Sequence, residues 1–152
     1  MVAVATVIAL LASCSSVPRR IIPPQANLLE LQVTDTTSSG RQFSFDLEIL
    51  NLNAEEIPVT RLNYDIRLGP AGRVIGEHLT PFTLPPQDSE ILTVSAFSDI
   101  VSSPSQLQAF ADAEGRLDYE LNGELVLGTR LREPVPIFQR GRVPLLVEIT
   151  IR

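Results

Sequence analysis

The sequence has 152 residues, 44% of them hydrophobic and 20% charged, a balance that excludes a chain-long disordered segment or coiled coil and suits one domain with a single core. The formal charge is -6, and all twelve cationic side chains are scattered arginines, so the clustered positive charge needed for a phosphate backbone is missing and nucleic acid is excluded as a partner. A single cysteine excludes an internal disulfide and a multi-cysteine metal site.

The apolar run Val2 to Ala12 fits the core of an export signal. At about 1.5 Å per residue it is too short to cross a hydrocarbon layer of about 30 Å. The stretch that ends it, Leu11-Ala12-Ser13-Cys14, resembles the bacterial lipobox. That resemblance implies that the Cys14 thiol takes a diacylglycerol, the peptide bond before it is cut, and the new amino group is acylated. Residues 1–13 are then the signal peptide and Cys14 is the lipidation site and first mature residue. No arginine precedes the run, which leaves the α-amino group as its only positive charge. Two or more acyl chains anchor stably where one binds marginally, each buried methylene contributing about 0.8 kcal/mol. An acidic surface attracts anionic headgroups weakly, so the lipid is the expected membrane contact. Ser15 stands where an Asp favours inner-membrane retention in the sorting rule of enteric-type bacteria, and the expected location is the periplasmic face of the outer membrane.

Residues 14–27 form the lipidated N-terminus and a proline-rich segment. Pro18, Pro23 and Pro24 disfavour helix. The segment is either a tether or, through Ile21 and Ile22, a strip packed on the domain that occupies residues 28–152. There the dominant period is two. Phe43, Phe45, Leu47 and Ile49 alternate with Gln42, Ser44, Asp46 and Glu48, and Leu62, Tyr64, Ile66 and Leu68 alternate with Asn63, Asp65 and Arg67. Leu145, Val147, Ile149 and Ile151 repeat the pattern, and weaker strands are predicted at 29–34, 74–84, 90–97 and 117–127. Ser38-Ser39-Gly40, Gly69-Pro70-Ala71-Gly72, Pro85-Pro86-Gln87-Asp88 and Arg140-Gly141-Arg142 are the predicted reversals. One helix is predicted at Ser105 to Ala113, started by Pro104 and stopped by Gly115. About seven strands with short connections imply an all-β, antiparallel sandwich.

Asn51-Leu52-Asn53, Ile57-Pro58-Val59 and Leu62-Asn63-Tyr64-Asp65-Ile66 together resemble the late embryogenesis abundant type 2 (LEA2, or WHy) domain, with Leu52 where that family carries proline. Phe82-Thr83-Leu84-Pro85-Pro86 before Ile91-Leu92-Thr93-Val94, Tyr119-Glu120-Leu121-Asn122-Gly123, and Pro136-Ile137-Phe138 before Gly141 extend the resemblance over residues 28–152. It implies an immunoglobulin or fibronectin type III-like sandwich with a short helix, and an association with desiccation and stress. It also implies that the Tyr119 to Gly123 segment is one strand, although Asn122-Gly123 alone reads as a hairpin turn.

Chemistry is sparse. His78, the one histidine, has neither a second histidine nor a spare cysteine to share a metal, and no nucleophile-elbow motif accompanies it. Of three carboxylate pairs, Glu55-Glu56, Asp46 with Glu48 and Asp118 with Glu120, alternation places the last two on wet strand faces, and all three read as solvated surface. No catalytic residue, metal site or cofactor is expected, and the chain is not expected to be an enzyme. The expected role is a stress-associated structural or binding module whose ligand is lipid, envelope protein or a partially unfolded client. The alternative is an accessory lipoprotein subunit of an envelope transport or assembly complex.

Overall fold

The computed structural model describes residues 20–37, 40–98, 103–128 and 133–148. The predicted export signal, Cys14 and the turn at Ser38-Ser39 lie outside the described residues. The elements are β1 (Gln25–Thr37), β2 (Gly40–Leu50), β3 (Ile57–Leu68), a 3-10 turn (Gly69–Ala71), β4 (Gly72–His78), β5 (Phe82–Leu84), β6 (Ser89–Ser98), α1 (Pro104–Phe110), β7 (Arg116–Leu127) and β8 (Val135–Glu148). Among the described residues, no helix is long and apolar enough to cross a membrane.

The class is all-β with one short helix. Among the described residues, seven strands join in one hydrogen-bonded path, β4-β3-β7-β8-β1-β2-β6, and an eighth, the short β5, pairs with β3 off that path. The path curls until β4 and β6 approach each other, which makes a nearly closed, barrel-like sheet. Length lets β8 serve both halves: its 14 residues pair antiparallel with β7 from Val135 to Pro144, then parallel with β1 from Leu145 to Glu148. The expectation of a wholly antiparallel sheet fails at this junction, because β1 and β8 both start from the same end of the body.

The period of two places the core as read. Phe43, Phe45, Leu47 and Ile49 of β2 and Leu62, Tyr64, Ile66 and Leu68 of β3 are all buried. These two strands are not neighbours in the path, and Phe45 meets Tyr64 edge-on across the interior with ring centroids 5.2 Å apart. The Tyr64 hydroxyl is held above its ordinary pKa by burial, and secondarily by the Glu77 carboxylate.

Two glycine signals resolve differently. Gly69 and Gly72 do flank a reversal, both with positive φ. Arg140-Gly141-Arg142, by contrast, is no turn, because β8 runs straight through it with Gly141 opposite Tyr119. A Cβ on Gly141 would sit 3.1 Å from that ring, so the glycine gives clearance rather than curvature. Asn122-Gly123 likewise lies inside β7, where a Cβ on Gly123 would meet Ile137 at 2.7 Å.

α1 is shorter than the predicted span. Ser103 and Gln106 form a capping box with Pro104 in the first turn, and Ala111 turns extended at ψ 150, ending the helix. The Asp112 carboxylate then takes the Glu114 and Arg116 backbone amides, closing the turn into β7. Leu107 is fully buried in the core that also holds Ala71, so the helix plugs the end of the body where β3 passes into β4.

Candidate functional site

At the opposite end, the connection between β2 and β3 is organised by a buried asparagine. Asn51 is 0% exposed, because its carboxamide serves as a hub for chain segments that share no ladder there. Its Nδ2 donates to the carbonyls of Glu55 at 2.8 Å, Pro85 at 3.0 Å and Leu84 at 3.3 Å. Its Oδ1 accepts from the backbone amide of Asn53 and from Asn53 Nδ2, each at 2.9 Å. Backbone bonds add to the brace: Asn51 N donates to Asp88 O at 2.9 Å and Gln87 N to Asn53 O at 3.0 Å. An amide side chain suits this position since it donates and accepts at once in a buried site.

Asn53 passes the order outward to the N-terminal segment. Its Oδ1 accepts from Ile22 N at 2.8 Å and its Nδ2 donates to Ile22 O at 2.9 Å, a two-sided grip on one residue's main chain. Pro24 is buried and Ile21 packs against the core. From Arg20 onward, therefore, the proline-bearing segment takes the packed arrangement, and β1 begins at Gln25. Between it and the β2–β3 connection lies an open recess of about 430 Å³, where the apolar Ile21, Ile22, Leu52 and Ile57 share the lining with the charged Arg20, Glu55 and Glu56.

A family profile described as "Late embryogenesis abundant protein" (LEA_2) matches residues 46–141, which includes the Asn51 brace. The chain belongs to the LEA_2 family. Solved structures agree on the fold of this LEA_2 chain. A solution structure of a late embryogenesis abundant protein is 17% identical with a TM-score of 0.50, covering 81% of this chain and 71% of that chain. A solution structure from Arabidopsis thaliana is 20% identical with a TM-score of 0.55, covering 86% and 87%. An X-ray structure of a structural-genomics target is 12% identical with a TM-score of 0.51, covering 88% and 97%. No curated protein matches the sequence.

The other residues singled out from the sequence do not converge on this end of the LEA_2 domain. His78 closes β4 half-buried, its ring edge-on to Phe82 with centroids 5.9 Å apart. Among the described residues, no three His, Cys, Asp or Glu side chains gather as a metal set. Asp118 and Glu120 face outward on β7 and pair with Arg142 at 3.4 Å and Arg140 at 2.8 Å. Asp46 accepts from Thr93 Oγ1 at 2.7 Å. Cys14 lies outside the described residues. The hub role of Asn51 had only one signal in the sequence, the Asn-x-Asn spacing that carried the family resemblance.

Three outward carboxylates predict an acid sensitivity. Asp65 is held below the ordinary carboxylate range chiefly by its hydrogen bond to Arg73, Asp112 by the backbone amide of Arg116, and Glu120 by Arg140. In each case the folded state binds its proton more weakly than the unfolded state. Their contribution is thus complete above the ordinary carboxylate range and is lost as pH falls through and below it. Urea unfolding at neutral pH and at progressively lower pH should show the midpoint fall in acid, and the fall should shrink in Asp65→Asn.

Proposed function

We propose that this LEA_2 chain is a lipoprotein, anchored through acylated Cys14 at the periplasmic face of the outer membrane, whose domain is a structural or binding module used under desiccation or envelope stress. The observation that carries the stress reading is the LEA_2 match over residues 46–141. Anchoring is supported by the apolar run and Leu11-Ala12-Ser13-Cys14. In this reading the body is an immunoglobulin-like sandwich of the WHy type, with β4-β3-β7 and β1-β2-β6 as halves that share β8. Its activity resides in surface and recess rather than in a reactive group, and its ligand is lipid or envelope protein.

Removing the chain from its source bacterium should reduce survival after drying or envelope stress. A His78→Ala copy should restore survival fully, because that ring is spent on Phe82. A Cys14→Ala copy should restore it poorly, because the domain disperses from its working surface. Normal survival together with loss of one transported or assembled envelope component would instead favour an accessory subunit, docking through the edge strands β4 or β6.

A further inference from the structure

We infer that the end of the body carrying Asn51, Asn53 and Ile22 faces the bilayer, and that the grip of Asn53 on Ile22 holds it in that orientation against the lipid surface. The inference rests on the proposed acylation of Cys14.

Chain length limits how the body can sit on the membrane. Six peptide steps separate Cys14 from Arg20, the first residue described against the body, and at full extension they reach only about 20 Å. β2 alone, with 11 residues, is about 35 Å long. A body tethered at one end by a leash shorter than itself cannot invert to present its far end to the membrane. The leash is short because the chain is already committed to the body by residue 22: Asn53 holds both the amide and the carbonyl of Ile22, and Asn51 holds Asn53. Were the grip released, the free segment would extend toward Gln25, and the body would gain both reach and rotation.

Apolar exposure by itself does not select the end. Ile22 and Leu52 are 52% and 38% exposed beside the grip, but Phe97 and Phe110 are 57% and 44% exposed at the far end. The tether decides between them. It delivers Ile22 and Leu52 to the headgroup layer, where scattered apolar side chains find partial burial.

The test uses acylated full-length protein in phosphatidylethanolamine–phosphatidylglycerol vesicles that carry a headgroup spin label. Acylation occupies the Cys14 thiol, so a fluorophore goes to one introduced thiol, Leu52→Cys or Phe110→Cys, both at exposed positions. The Leu52 site should be quenched several-fold more than the Phe110 site, and adding Asn53→Ala should narrow that difference. Equal quenching at the two ends, or stronger quenching at Phe110, on protein whose N-terminal mass shows the lipid overturns the orientation and leaves the anchor standing. A difference that survives Asn53→Ala overturns the role of the grip. Protein without N-terminal lipid overturns both.

Discussion

Replacing Tyr64 with alanine should cost about 3–5 kcal/mol, read as a lowered urea midpoint with an unchanged slope. The ring is 3% exposed and spans the interior to Phe45, so its loss opens a void between strands that no ladder joins. Backbone collapse cannot fill that void cheaply, since β3 is fixed between β4 and β7 and β2 between β1 and β6. Asp65→Ala, one residue on, is the control. It removes an outward ion pair with Arg73 and should cost under about 1 kcal/mol, because exposed pairs are offset by solvation and side-chain entropy. Similar losses for the two variants would contradict the inward phase of Tyr64.

Asn51→Ala should cost about 2–4 kcal/mol, since the Glu55, Pro85 and Leu84 carbonyls lose their shared donor and the Asn53 amide loses its acceptor in a buried setting. Asn51→Asp should be at least as damaging, because a carboxylate keeps the shape but turns a donor toward three carbonyls into a repelling charge. Asn51→Ala should also speed amide exchange at Ile22, whose partner Asn53 then loses the Asn51 Oδ1 acceptor, whereas Asn51→Asp keeps that acceptor and should spare Ile22 more. Stability near that of the wild type in both variants would show that the three segments are held there by other means.

Much of this body is legible in the sequence where local periodicity speaks. Alternation along 43–49 and 62–68 gives the inward phase directly, because the period of a strand and the burial of one face are the same fact. Pro104 after Ser103 marks a helix start for reasons confined to a single turn. What the sequence hides is non-local. Gly141 reads as a reversal because the signal for a bend is also the signal for clearance, and only the register opposite Tyr119 separates them. The division of β8 between two partners depends on where β7 and β1 arrive, which no window of the chain contains. Asn51 stands out by its spacing with Asn53, but two of its acceptors lie more than thirty residues away, so its purpose appears only in the fold.

The central claim is that this LEA_2 domain works from a lipid anchor, and intact-mass measurement of the protein extracted from the source membranes tests it most directly. The account predicts a chain that begins at Cys14, lacks residues 1–13 and carries a lipid increment at its N-terminus, with the increment abolished in Cys14→Ala. A wild-type chain of unmodified mass that still begins at Met1 and is recovered in the soluble fraction would contradict it.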